Sequence, residues 1–422
     1  MKPIPSLLAL AVLGGSLSAC VSAPTAKPAP VPSKPVVSQS ANADIIPMTP
    51  VSPAPFEAAE TTPSPDTLFQ PPLVPPVVVP PTPGLDEAQA RALLTRLLPS
   101  GIKDRNGWRN DILSAFTALK IPYEAPYFCA ALSIIEQEST WQADPVVPGL
   151  DKIVWKEIDK RAAKYHVPLL AVKAAFLKSS PDGRSYKARV DALRTEKQMN
   201  DLFEDMATDA QKLHLPLGLK NPIRTGGPMQ VSIEFAEGHV RVWPYPYSYK
   251  DSIRSEVFSR RGGVYFGIAM LLQYRVNYPD MSYRFADYNA GRYSSRNAAF
   301  QAAVGKLSRQ KMVLDGDLLM YESRETSTTQ KQLLKLASRL NLSESAIERD
   351  LRLEKTEGFS QTALYKRVFE AASAQAGRPL PQAVMPQIRL SSPKITRKLT
   401  TEWFAKRVDG RYRKCLARLP DA

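Results

Sequence analysis

Proline placement limits where this chain can pack. More than half of its 38 prolines stand before Gly84, among Ala, Ser, Thr and Val, and the stretch closes on PPLVPPVVVPPTPG. Proline fixes φ and removes a backbone donor, so such a run favours extended polyproline II and builds no core. Residues 21–85 are therefore read as a disordered tether, and folded structure is expected from Asp86 onward. Fully extended at about 3.1 Å per residue, the tether reaches on the order of 200 Å. The chain beyond the tether is long enough for one large or two medium domains.

Ahead of the tether, MKPIPSLLALAVLGGSLSAC has Lys2, an apolar run from Leu7 to Leu13 and small residues up to Cys20. This is the pattern of an export signal and is too short to span a bilayer. Its end, Leu17-Ser18-Ala19-Cys20, resembles the bacterial lipobox, which implies a signal peptide over residues 1–20 and a lipidated Cys20 at the mature N-terminus. Acyl chains there would anchor the chain stably, since each buried methylene contributes about 0.8 kcal/mol. Val21, not Asp, follows the cysteine, which implies the periplasmic face of the outer membrane. Cys129 and Cys415 remain, and an oxidising periplasm permits either a disulfide between them or two buried thiols.

From Asp86 the pattern is mainly helical. LDEAQARALLTRLLP spaces its leucines for a helix with acids in its first turn. Further helices are expected over 108–119, 127–140, 153–165, 168–177, 196–213, 263–277 and 283–289. MQVSIEFAEGHVRVWPYPYSYK is rich in β-branched and aromatic residues, so it is expected to form a hairpin turning at Glu237-Gly238, followed by an irregular loop. KQLLKLASRLNLSESAIERDLRLEK divides at Asn341-Leu342, with Ser343 able to cap a second helix. It offers a helix-turn-helix reading, but the export signal argues against nucleic acid as a partner.

Within SIIEQESTWQADP two carboxylates stand in an apolar helix. Projection at 100° per residue puts Phe128, Ala131, Leu132, Ile135 and Ser139 on the buried arc, with Glu138 inside it and Glu136 at its far edge. A carboxyl in apolar surroundings loses hydration of its charged form and holds its proton, as a general acid requires. Asp144-Pro145 is expected to end this helix and leave Glu138 near an open edge. Three more stretches come later in the chain: TGGPMQVS, GGVYFGIAMLL and FADYNAGRYSSRNAAF.

In order, these motifs resemble the lytic transglycosylases of the lysozyme-like superfamily. Glu138-Ser139 matches that family's Glu-Ser, and Gly227-Pro228-Met229-Gln230 matches its Gly-Leu-Met-Gln with proline for leucine. Gly262-Gly263-Val264-Tyr265-Phe266 matches its Gly-x-x-Tyr-Leu, and Ala286-Asp287-Tyr288-Asn289-Ala290-Gly291 its Ala-x-Tyr-Asn-Ala-Gly. The full chain also looks like a family of Gram-negative lipoproteins carrying this core. The resemblance implies a mainly α, lysozyme-like domain over 86–310, interrupted by a helical insertion at about 150–220, then a helical, basic C-terminal region over 311–422. It implies Glu138 as acid and then base, with Tyr288 orienting it or stabilising charge beside it. Gln230, Met229, Ser139, Asn289 and Tyr265 would bind substrate or shape its groove. One departure is that residues 146–223 separate the Glu-Ser and Gly-x-Met-Gln motifs, which stand close together in the family.

A net charge of +15 suits a polyanionic partner, and in the envelope peptidoglycan strands and anionic lipid headgroups qualify. Trp243, Tyr245, Tyr247 and Tyr249 offer faces for saccharide stacking or simply for packing. Histidines 166, 214 and 239 are scattered singly, so neither a metal nor another cofactor is expected. The resemblance implies cleavage of the bond between N-acetylmuramic acid and N-acetylglucosamine, leaving 1,6-anhydro-N-acetylmuramic acid. The competing readings are a hydrolytic muramidase, with Glu136, Glu234, Glu237 or Asp251 as second carboxylate, and a non-catalytic wall-binding lipoprotein. Cell-wall synthesis or remodelling proteins are open as partners of the C-terminal region, which names none of them.

Overall fold

The computed structural model describes residues 84–212, 221–321, 325–390 and 399–419; the expected signal peptide, Cys20 and most of the tether lie outside them, as does His214. The described chain is mainly helical. Helix α1 (Glu87–Leu97) opens it, followed by α2 (Arg105–Leu119) and α3 (Ala125–Ser139). Asp86 starts α1 by accepting from the Gln89 amide while the Gln89 side chain accepts from the Asp86 amide, a reciprocal cap. Leu94 and Leu97 of α1 and the aromatic residues Trp108, Phe116 and Phe128 are buried and begin the main core.

Beyond Trp141 the chain leaves that core. Helices α4 (Leu150–Lys164), α5 (Leu169–Ala175), α6 (Tyr186–Asp191) and α7 (Glu196–Lys212) enclose a small core of their own around Leu150, Ile158, Phe176, Val190 and Met206. The ends of this excursion meet: Val146 bridges Thr195, and the Val147 amide donates to the Arg194 carbonyl at 2.8 Å. The long insertion therefore collapses in space to a short connection beside the end of α3. Met199 packs against both cores and seats α7 on the main one.

The chain returns through β1 (Thr225–Gly226) and β2 (Val231–Ser232), an antiparallel pair flanking Gly227-Pro228-Met229-Gln230. Then come α8 (Ile233–Val242), α9 (Ile253–Val257), α10 (Arg260–Leu272), α11 (Met281–Ala290) and α12 (Ser294–Ser308). The hairpin expected at Glu237-Gly238 is corrected to helix α8. Ser232 caps it by accepting from the Phe235 amide, and Ile233, Ala236 and His239 recur at helical spacing and are buried. That buried stripe outweighs the β-branched composition, since β propensity depends strongly on context.

The last third forms a third apolar cluster. Helices α13 (Thr328–Lys335), α14 (Ala337–Leu340), α15 (Glu344–Leu351) and α16 (Ala363–Ala376) pack on α12 around Phe300, Phe359, Tyr365 and Phe369. Asn341 adopts a positive φ of 51° and Ser343 caps α15, as the sequence indicates. After β3 (Arg389–Leu390) and β4 (Leu399–Thr400), which pair, α17 (Thr401–Leu416) runs back to the beginning. Its Phe404, Ala405, Val408 and Cys415 lie in the main core against α3 and α11, and Cys415 forms a disulfide with Cys129. The C-terminal region expected over 311–422 thus contributes a helix to the first core.

Candidate functional site

Helix α3 carries Glu138 in its last turn, next to its final residue Ser139. Nearly every side of this helix is enclosed, including Cys129, Ile134, Ile135, Gln137 and Ser139, because α17 covers the face that a surface helix would show to water. The helix stops at Ser139, ahead of the expected Asp144-Pro145 boundary. Thr140 and Trp141 both take positive φ, 49° and 64°, and Trp141 is held edge-on against Trp108 at 5.3 Å. A β-branched residue in this region is strained, and strain held by surrounding packing is a recurrent feature beside functional groups.

Glu138 is 2% exposed, and its Oε2 is buried without a hydrogen-bond partner. Burial pushes its carboxyl well above the usual carboxylate range. The negative charge of Glu196 pushes the same way, and the positive charge of Arg411 opposes them. The surroundings of Glu138 therefore favour its protonated form. Tyr288, on α11, is buried beside it: desolvation and the Glu138 charge both raise its phenol. The Tyr288 hydroxyl donates to the Met229 carbonyl at 2.6 Å, joining the Tyr-Asn-Ala-Gly helix to the Gly-Pro-Met-Gln turn.

That turn rests on α10 for a steric reason. Gly263 and Gly267, one helical turn apart, leave the space that Pro228 and Met229 fill; a Cβ at Gly263 would lie 2.5 Å from Pro228 Cδ, and one at Gly267 2.4 Å from Met229 Sδ. Gly227 has φ 73°, and a Cβ there would meet the Val257 carbonyl oxygen at 2.0 Å, so glycine is required. Gln230 follows with φ 51° and is buried, its Nε2 donating to Glu196 Oε2 at 2.9 Å and to the Gly227 carbonyl at 3.3 Å.

Of the residues expected at the site, Glu138, Tyr288 and Gln230 come together. The others hold the framework. Met229 is fully buried against α10 instead of lining a groove. Tyr265 is also fully buried, its hydroxyl donating to the Pro244 carbonyl at 3.3 Å. The Ser139 hydroxyl donates to the Ile135 carbonyl at 2.9 Å, within its own helix. Asn289 Oδ1 accepts from Thr401 Oγ1 at 2.9 Å, tying α11 to α17. Trp243 donates to the Ala118 carbonyl and Tyr245 stacks on Phe266, so the aromatic run is mostly packing, with Tyr249 at its exposed edge.

Glu136, at the outer edge of α3, pairs with Arg411 at 3.5 Å, while Glu234, Glu237 and Asp251 are exposed. The carboxylate whose charge acts on Glu138 is instead Glu196, the first residue of α7. Neither Glu196 nor Arg411 was expected here. Thr195-Glu196 reads only as a helix start, and nothing in it says where that helix is seated. Asp144 also sits in this cluster; burial raises its carboxyl, and a hydrogen bond from Thr195 opposes the shift. Glu138, Gln230 and Tyr288 are each at most 4% exposed, so solvent does not reach them in this conformation. Among the described residues no group of His, Cys, Asp and Glu could hold a metal ion, and no helix is long and apolar enough to cross a membrane.

No solved structure matches the chain. It is similar to "Uncharacterized protein YaiW" of Escherichia coli (strain K12), 46% identical over 325 residues that span 77% of this chain and 89% of that protein. The family described as "Protein of unknown function (DUF1615)" matches residues 101–418, a span that takes in the Glu138 helix, the insertion and α17. The chain belongs to the DUF1615 family.

Proposed function

We infer that this protein is a lytic transglycosylase with a lysozyme-like core, anchored through Cys20 to the periplasmic face of the outer membrane. It cuts peptidoglycan between N-acetylmuramic acid and N-acetylglucosamine. The observation that carries the reading is Glu138: a buried carboxyl whose surroundings favour its protonated form, with one unpartnered oxygen and the Tyr288 phenol beside it. The Cys129–Cys415 disulfide supports export, because such bonds persist in oxidising compartments. A net charge of +15 favours association with an acidic polymer or surface.

In the reaction, Glu138 passes its proton to the glycosidic oxygen as the bond from that oxygen to C1 of the muramoyl residue breaks. The carboxylate left behind takes the proton of the C6 hydroxyl as that oxygen attacks C1 of its own ring. The nucleophile is already part of the substrate, so proximity lowers the barrier and no external water enters. Mass spectrometry of digested sacculi tests this: anhydro-muramoyl ends support it, and exclusively reducing ends turn the reading to a muramidase.

One observation favours a second reading, a non-catalytic wall-binding lipoprotein. The burial of Glu138, Gln230 and Tyr288 leaves no path for a glycan to the acid without movement of the elements around it. Binding to sacculi without turnover by either wild type or Glu138→Gln distinguishes this reading from the first.

A further inference from the structure

The insertion does more than interrupt the domain. Its ends are clamped by the Val146–Thr195 bridge and the Val147–Arg194 hydrogen bond, and the next residue after that clamp is Glu196. The Glu196 carboxylate accepts from Gln230 Nε2 at 2.9 Å. Gln230 is itself fixed by burial and by its second bond to the Gly227 carbonyl, on a turn that cannot slide because Pro228 and Met229 are keyed into Gly263 and Gly267 of α10. The carboxylate is thus set on the same turn whose Met229 carbonyl receives the Tyr288 hydroxyl.

We propose that Glu196, delivered by the insertion and positioned by Gln230, is a second carboxylate of the Glu138 site and stabilises the positive charge that develops on the sugar during bond cleavage. This rests on the glycan-cleaving reading above. As Glu138 gives its proton to the glycosidic oxygen, the bonding electron pair leaves with that oxygen, and C1 and the ring oxygen share a positive charge. A fixed anion nearby lowers the energy of that state more than of the neutral ground state, which is the requirement for raising the rate. Attack by the C6 hydroxyl then discharges the ring, and the hydroxyl proton returns to Glu138. The same negative charge favours protonated Glu138 before reaction. The other groups acting there are Tyr288 from α11, Arg411 from α17, which opposes Glu196, and Asp144 beyond the end of α3, whose carboxyl the Glu196 charge also raises. Two carboxylates in one site usually serve hydrolysis; here the second comes from a segment that the resembling family lacks.

The test uses the full-length protein and purified sacculi, comparing wild type, Glu196→Gln and Glu196→Asp. Glutamine can still accept from Gln230 and removes only the charge. The expected result is a fall in kcat on the order of 10²-fold with KM within about threefold, and a thermal melting point close to wild type. The alkaline limb of the pH profile should move to lower pH, because Glu138 loses the like charge that favours its protonated form. Aspartate, which keeps the charge, should restore most of the loss. Wild-type kcat and an unmoved pH profile in a folded Glu196→Gln, beside an active wild type, overturn the role of Glu196 alone. A wild type that cuts no sacculi overturns the glycan-cleaving reading and this role with it. If Glu196→Gln does not fold, Glu196→Asp decides: partial activity upholds the proposal, and a folded, inactive aspartate variant overturns it.

Discussion

Removing the disulfide by Cys129→Ala with Cys415→Ala probes how α17 is held to the helix that carries Glu138. The two cysteines are separated by 286 positions, so the bond closes nearly the whole folded chain into one loop. In the chain-entropy treatment a cross-link of that span withdraws on the order of 5 kcal/mol of disorder from the unfolded state. Both cysteines are buried, and alanine leaves small apolar gaps without introducing an unpaired polar group. Phe404, Ala405 and Val408 still pack against the main core in the variant, so the expected net loss is about 3–5 kcal/mol. Guanidinium unfolding followed by tryptophan fluorescence reads the change, with Trp108 and Trp141 both in this core. Reduced wild type should resemble the double variant. The loss should reach the site as well, since α17 supplies Arg411 to Glu136 and Thr401 to Asn289. A midpoint unchanged by the double substitution and by reductant would refute the view that the bond secures α17.

Two further outcomes rest on the packing and the buried charges. Gly267→Ala puts a methyl group into the Met229 side chain and should cost about 1–3 kcal/mol, read by thermal melting; Gly238→Ala on α8, with open space around it, should not destabilise. Burial pushes the Glu354 carboxyl up to about 7. The folded chain then holds a proton that the unfolded chain releases, so stability declines as pH rises between the ordinary glutamate range and about 7. Glu354→Gln should flatten that part of a plot of unfolding free energy against pH.

Local pattern carried much of this molecule, and distance in the chain hid the rest. The spacing of apolar residues identified the α3 helix and put Glu138 in its shielded arc. Asn341 and Ser343 marked a helix boundary through their own backbone and capping preferences. Helix α8 was misread because Val, Ile and aromatic residues suit strands in general, while the buried stripe that decides the matter depends on α9 and α10 being there to pack against. Glu196 and Arg411 were not legible as site residues. Glu196 reaches Gln230 only because Val146 and Thr195 pair, and Arg411 reaches Glu136 only because α17 returns from the far end of the chain. Neither pairing leaves a periodic or capping signal.

The shared core also explains why the motif residues differ in kind. Met229, Tyr265 and Asn289 interlock the turn, α10, α11 and α17, and their substitution acts through folding. Glu138 is different. Its Oε2 has no partner, and keeping a carboxyl in such surroundings is costly to stability unless the group serves something else. Glutamine at this position keeps the shape and removes the exchangeable acid proton, so it separates chemistry from structure.

The most direct measurement is release of soluble muropeptides from purified sacculi by wild type and by Glu138→Gln, at matched concentration and with sacculus binding recorded in parallel. Wild type should release products ending in the anhydro-muramoyl group. Glu138→Gln should bind equally, melt at or above the wild-type temperature, and release at least about 10²-fold less. Equal release by the two proteins, or no release by wild type under conditions where it binds, would contradict the assignment of Glu138 as the acid that cleaves the glycan.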